Sequence, residues 1–356
     1  MRESRATVIV PGSLETRTGG YEYDRRIVAG LRARGWRVDV QELDASFPRP
    51  TVTALAHAAR VLAAIPDRTI VLIDGLALGA MPAEVEREAT RLMLVALVHL
   101  PLAAEIGLDP ATAAALEASE RRALAAAAQI VVSGHPTLET LAAYGIERDR
   151  LAIVEPGTDR APLALGSRGG PLELLCVATL NAGKGHEILI RALAQMTNRN
   201  WHLTCAGSLT RDPSAVERVR ATVRCAGLDD HVTLADELAA DALAACYHRA
   251  DVFVLATLHE SYGMAVAEAL AHGLPVVSTM TGAIPKLVTD GAGVAGIIVP
   301  PRDQLALVDA LTQVVGDERL RKTLADGARK VRDRLPSWED AAAKMAAVLG
   351  RLVPVI

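Results

Sequence analysis

Apolar and polar positions alternate along this chain in blocks rather than residue by residue. Short runs rich in Val and Ile recur at ATVIV (Ala6–Val10), RVDV (Arg37–Val40), TIVLI (Thr69–Ile73), LMLVALV (Leu92–Val98) and QIVVS (Gln129–Ser133), with helix-forming stretches between them. A short apolar run without polar alternation predicts a strand buried on both faces, and strands spaced by helices predict the βαβ units of a parallel sheet. The stretch EPGTDRAPLALGSRGGP, Glu155–Pro171, interrupts this rhythm with Pro and Gly and reads as an interdomain linker. The alternation then restarts with ELLCVA, WHLTCAG, VTL, VFVLA, PVVST and GIIVP. The expected fold class is α/β: two doubly wound parallel-sheet domains, residues 1–160 and 161–336, facing each other across a cleft. From Ser337, SWEDAAAKMAAVLGRLV offers an N-cap and an amphipathic pattern, so residues 337–356 are expected to pack back on the first domain.

Length agrees with this division, because 356 residues exceed what one core usually organises. In doubly wound sheets ligands sit beyond the carboxyl ends of the strands, which is where chemistry is to be sought. Composition narrows the partners. Hydrophobic residues make up 51% and aromatic ones only 3%, so the cores must be aliphatic. A formal charge of -4 and a pI near 6.2 lack the cationic excess of a general nucleic-acid binder. The apolar run near the amino terminus is too short for a signal-peptide core, and a cytoplasmic location is expected. The most apolar stretch, Leu92–Ala104, contains His99 and Pro101 and falls short of the ~20 residues that span a bilayer. Cys176, Cys205, Cys225 and Cys246 show no C-x-x-C spacing and read as reduced, buried packing residues.

The most informative segment is ADVFVLATLHESYGMAVAEALAHGLPVVSTMTGAIPKLV, Ala250–Val288, which reads as strand, loop, helix, strand, helix. Ser261 is placed to cap the helix, and Gly263 lets a ligand approach its first turn. Unpaired N–H groups at such a helix start form an anion site suited to a diphosphate. Two glutamates on a helix are ordinarily solvated, but AVAEALAHG is an apolar helix in which a carboxylate needs a partner. Glu268 leans toward the helix start and can accept bonds from two vicinal hydroxyls, as a ribose presents; Glu260, ahead of the helix, would point at a sugar. Lys184, in a Gly-flanked turn after the strand ELLCVA, can set a point charge on a phosphate. Gly291–Gly296, GAGVAG, matches G-x-G-x-x-G, but it follows a helical segment and leads into a strand, the reverse of a dinucleotide fingerprint. No D-x-D, H-E-x-x-H or clustered His ligands point to a metal, and none is expected.

E-S-Y-G-M-A-x-A-E-A from Glu260, then H-G-L-P-V-V and G-A-x-P, resemble family four of the retaining glycosyltransferases. The resemblance is dense from Glu173 to Asp303 and implies the GT-B fold of two facing Rossmann-like domains. It implies that Glu260 contacts the transferred sugar and Glu268 the nucleotide ribose, with Ser261, Tyr262, Gly263 and Met264 around the donor. ELLCVATLNAGKGHEILIRALAQM, Glu173–Met196, is a second match, with Lys184 as the phosphate lysine. Thr179 stands where relatives carry an arginine, so the usual two-cation clamp is reduced to one. In the first domain the resemblance places Gly19 and Gly20, read as a turn, beside the diphosphate and acceptor. It sets His99 against the transferred sugar and Tyr21 and Asp74 on the acceptor side. VEPGTD, near Pro156 and Gly157, resembles the family's domain-junction segment.

The reading is therefore a metal-independent, retaining hexosyltransferase. It needs no cofactor beyond a nucleotide-diphosphate sugar as co-substrate, and it takes a small soluble acceptor. Its rivals are a GT-B sugar phosphorylase or nucleotide-sugar epimerase, and a sugar-nucleotide-binding module without catalysis, for which Thr179 is the only hint.

Overall fold

The computed structural model describes residues 4–289, 291 and 293–353. They form two compact units: one runs to Gly157 and takes in the segment from Pro336, and the other is Thr158–Leu335.

The first unit is built on an all-parallel sheet of β1 (Arg5–Pro11), β2 (Arg37–Leu43), β3 (Ile70–Asp74), β4 (Met93–Val98), β5 (Gln129–Val132) and β6 (Leu151–Ile153). Their order is β2-β1-β3-β4-β5-β6. Successive strand residues point to opposite faces: Ile9, Ile73, Leu94 and Ala96 enter one core, while Val8, Leu72, Val95 and Leu97 enter the other. With both faces covered, each run reads as continuously apolar. The edge strand β2 buries only Val38 and Leu43.

The Trp338–Gly350 helix covers one face of this sheet, where Ala341, Met345, Val348 and Leu349 join Ile27 and Leu31 of the Gly19–Ala33 helix. Its start is a capping box in which Ser337 accepts from the Asp340 N–H and the Asp340 side chain accepts from Ser337 N–H. Residues 354–356 of the segment expected to pack here lie outside the described residues.

The second unit carries β7 (Leu172–Val177), β8 (Trp201–Ala206), β9 (Val232–Leu234), β10 (Val252–Leu255), β11 (Val276–Thr279) and β12 (Gly296–Val299). They form a second all-parallel sheet in the order β12-β11-β10-β7-β8-β9. The winding direction reverses between β7 and β10 here, and between β1 and β3 in the first sheet. Crevices for ligands open at such switch points, beyond the carboxyl ends of the strands.

Two sequence readings change, those of the linker and of Cys225. Much of the Pro/Gly-rich stretch read as a linker is held to the second unit: Ala164 N–H donates to His272 O at 2.9 Å, Leu165 N–H to His248 O at 2.8 Å, and Arg332 to Ala161 O at 2.7 Å. Cys176 and Cys205 are buried, but Cys225 is exposed, because it closes the amphipathic Pro213–Cys225 helix on its solvent side. The G-x-G-x-x-G match runs from the Ile284–Val288 helix into β12; its Ala292 lies outside the described residues. Among the described residues no helix is long and apolar enough to cross a membrane.

Candidate functional site

In the second unit the loops after β7 and β10 lie side by side because those strands pair, Leu174 with Val252 and Leu175 with Phe253. The loops are laced together by Gly183 O, which accepts from Leu258 N–H at 2.8 Å and from the Thr257 hydroxyl at 3.2 Å. Gly185, at φ 68°, follows the short 3-10 turn Ala182–Lys184; a Cβ there would stand 2.0 Å from Ala256 O, so only glycine lets the loops approach. The Asn181 side chain accepts from the N–H groups of Gly183 and Lys184 at 3.0 and 3.2 Å and fixes the turn.

This scaffold delivers Lys184 Nζ to 2.5 Å from Glu260 Oε1. Their side chains are 28% and 14% exposed, so the pair is drier than a surface ion pair. Burial, followed by the opposing influences of Glu260 and Lys184, leaves neighbouring His259 below the ordinary histidine range.

The Met264–Ala271 helix follows. Its N-cap is Gly263, at φ 98° and with no side-chain cap, rather than Ser261 as the sequence suggested. Ser261 instead serves through its carbonyl, which accepts from Ala283 N–H at 3.2 Å. Glu268 Oε2 accepts the Tyr247 hydroxyl at 2.9 Å. Tyr247 is stacked against His272, with centroids 4.8 Å apart and planes within 7°, and against Phe253. Burial, and then Glu268, push the Tyr247 hydroxyl well above the usual tyrosine range, so it stays a donor.

In the first unit the cluster forms beyond β3 and β4. Asp74 ends β3 and accepts Leu76 N–H at 2.7 Å; His99 directly follows β4. His99 Nε2 lies 3.0 Å from Asp24 Oδ1 and 3.7 Å from Asp74 Oδ2. Tyr23 meets the imidazole edge-on at 5.1 Å, and a Cβ on Gly20 would come within 3.3 Å of it. Burial, then the Asp24 carboxylate, raise Asp74 to about 7, against the pull of His99 and Leu76 N–H. Burial pushes His99 down, but Asp24 first and Asp74 after it outweigh that and leave it raised.

Residues 171–317 match the family model described as glycosyl transferases group 1. That segment is similar to this family. A D-inositol 3-phosphate glycosyltransferase of Xylanimonas cellulosilytica is 32% identical over 243 residues, covering 64% of this chain and 57% of that protein. The chain thus spans little more than half the length of that relative. An MMP alpha-(1->4)-mannosyltransferase of Mycolicibacterium hassiacum is 27% identical over 341 residues, covering 89% and 79%. In fold the chain matches sucrose-phosphate synthase from Thermosynechococcus elongatus, with a TM-score of 0.81 and 19% identity over 98% and 99% of the two chains. It also matches Anabaena HepE, solved with UDP and glucose, with a TM-score of 0.77 and 16% identity over 97% and 100%. The fold is GT-B, two Rossmann-like α/β units.

Among the residues singled out in the sequence, Glu260 and Lys184 are in contact, and Glu268 lies further along the helix that follows Glu260. Tyr262 is only 4% exposed and its ring is part of the apolar core, which leaves its backbone for any contact with a ligand. Met264 is half-buried against the same core. Thr179 is half-buried, and its carbonyl accepts from Asn181 N–H at 2.9 Å. Gly19 and Gly20 are not in a turn: they open the Gly19–Ala33 helix, capped by Thr18, and Tyr21 donates its hydroxyl to Pro11 O. Sequence reasoning missed Asp24 and Tyr247. A signal for Asp24 existed, since Asp24, Ile27, Val28 and Leu31 share the buried stripe of one helix, where a carboxylate is out of place without a partner.

Proposed function

We propose that this chain is a retaining glycosyltransferase that moves a hexosyl group from a nucleoside diphosphate sugar to a small hydrophilic acceptor. The observation that carries this reading is the contact of Lys184 with Glu260 at the switch point of the second sheet, followed by Glu268. A phosphate-binding cation, a carboxylate for sugar hydroxyls and a carboxylate for ribose hydroxyls are the groups a nucleotide sugar requires. Lys184 and the N–H groups that open the Met264–Ala271 helix meet the charge that grows on the departing diphosphate. Glu260 accepts from hydroxyls of the sugar and Glu268 from those of the ribose. The acceptor hydroxyl attacks from the face the nucleotide leaves. Its C–O bond forms as the bond to phosphate oxygen breaks, and its proton passes to that oxygen. No strong general base is then required, and the protein's task is placement and charge.

His99 is assigned to a sugar hydroxyl, and Tyr21 and Asp74 to the acceptor. The relatives named for D-inositol 3-phosphate make inositol phosphates the first acceptors to try. An acceptor in solution fits helices such as Val52–Ala64 and Pro110–Ala126, which are Ala-rich and carry few basic residues for a membrane surface.

Thermal shift against uridine, guanosine and adenosine diphosphate sugars tests the donor, since a ligand at 100 times its Kd stabilises by about 2.7 kcal/mol. Transfer to an acceptor, with the product's anomeric configuration read by proton NMR, tests the chemistry. Retention is expected. An inverted product, or sugar phosphate formed from the donor and inorganic phosphate without acceptor, would overturn the reading.

A further inference from the structure

The first unit's cluster holds two buried carboxylates against one imidazole. Asp24 is 1% exposed; its Oδ1 touches His99 Nε2 at 3.0 Å, and its Oδ2 is buried without a hydrogen-bond partner. Asp74 Oδ2 approaches the same ring nitrogen at 3.7 Å. A carboxylate oxygen accepts and does not donate, so Nε2 is the nitrogen that carries the proton toward Asp24. The ring has little freedom to turn: Tyr23 lies edge-on to it, and Gly20 packs against its Cδ2. The titratable groups facing the ring among the described residues are Asp24 and Tyr23 from the Gly19–Ala33 helix and Asp74 from the end of β3. Tyr23 spends its hydroxyl on Val154 O at 2.9 Å, which leaves the two carboxylates to set the charge on the ring.

We propose that Asp24 is a positioning residue that holds His99 as an imidazolium, with Nε2–H committed to Asp24 and Nδ1–H turned to a substrate hydroxyl oxygen. This rests on the assignment of His99 to the substrate. A neutral imidazole tied to Asp24 through Nε2–H would offer only an acceptor on its other edge. The charged ring offers a donor, and a charge-assisted one, where hydroxyl lone pairs must be oriented. The burial of Asp24 is the reason the effect is strong, because an opposite charge a few ångströms away and out of water favours the charged form.

The test is 15N NMR of the intact protein with labelled histidine, His99 being assigned by the signals lost in His99→Gln. In the wild type both ring nitrogens of His99 should stay protonated through neutral pH. In Asp24→Asn the midpoint should fall by about a unit or more, and kcat/KM should drop about tenfold at pH 7.5 but much less at pH 6. Asp24→Ser gives the same reading should the Asn variant misfold. An unchanged His99 titration in a folded Asp24 variant overturns the proposal. So does a wild-type protein whose His99 signals shift on adding Zn²⁺ or Mn²⁺ and whose activity is lost to a chelator, since Asp24, Asp74 and His99 could then be ligands of an ion. The NMR arm needs no substrate. If the titration moves but His99→Gln keeps wild-type kinetics, Asp24 holds the ring as proposed and the assignment of His99 to the substrate is what fails.

Discussion

Tyr247 donates its hydroxyl to Glu268 across 2.9 Å, and its ring is held in a stack with His272. His272 is fixed in turn by Pro162 O, 2.9 Å from its Nδ1. The carboxylate assigned to the ribose is thus aimed by a rigid chain of contacts. Glu268→Ala should weaken nucleoside diphosphate binding by about tenfold or more, the scale of a charge-assisted bond. Tyr247→Phe keeps the stack but removes this hydrogen bond, and should weaken binding only a few-fold. Calorimetry with UDP, GDP and ADP measures both; unchanged affinity in Glu268→Ala would remove that residue from the site.

Lys184 and Glu260 form an ion pair, so a diphosphate that binds the lysine must compete with Glu260. With Thr179 unable to carry charge, Lys184→Ala should cut turnover at saturating donor by at least about a hundredfold, and Thr179→Ala far less. Glu260→Ala should also lower turnover while binding of the bare nucleotide persists or tightens, because the competing carboxylate is gone. A Lys184→Ala enzyme within a few-fold of wild type would mean that another cation serves the phosphates.

Gly185→Ala tests the scaffold rather than the chemistry. Its Cβ would collide with Ala256 O in a left-handed backbone, so the two loops must separate. A loss of about 1–3 kcal/mol in stability is expected, together with a fall in turnover as Lys184 leaves Glu260. Denaturant melts and steady-state kinetics on one preparation check both. A variant of wild-type stability and activity would show that the loops tolerate separation.

Asp74 ties stability to pH. Its folded value of about 7 lies above the ordinary 3.8, so between these the folded state holds a proton the unfolded chain has released, and stability falls as pH rises through that window. His99, also raised, adds stability that is present below its unfolded value and is lost as pH climbs through its folded one. Asp74→Asn should match wild type near pH 4 and melt at a higher temperature at pH 8, where the folded wild type must carry the buried charge. Melts of both proteins at the two pH values decide it. A variant that loses Tm at pH 8 would show that the Asp74 charge is stabilising.

The strands were legible because a parallel strand covered on both faces must be apolar at nearly every position; β6 was missed because Leu151–Ile153 is a three-residue edge strand with little to bury. Glu268 stood out as a charge in an apolar helix, and Lys184 as a cation between glycines. Ser261 was misread as a cap because an N-cap depends on where the chain turns, and Gly263, in the left-handed region, turns it later. Tyr247 escaped because its significance is a partner distant in sequence, which no local pattern displays; Asp24 showed locally as a carboxylate on a buried helix stripe, but its partner His99 did not.

The covering of one sheet face by the Trp338–Gly350 helix has a bearing on the order in which the chain folds. The first unit meets its own last layer only after the whole second unit has been synthesised. Until then Ile27, Leu31 and their sheet neighbours present an apolar face without its cover. The core of the second unit is built from residues within Thr158–Leu335. During synthesis the earlier-made unit is therefore the later to be completed, and it is the one that should depend on a chaperone or a fast ribosome.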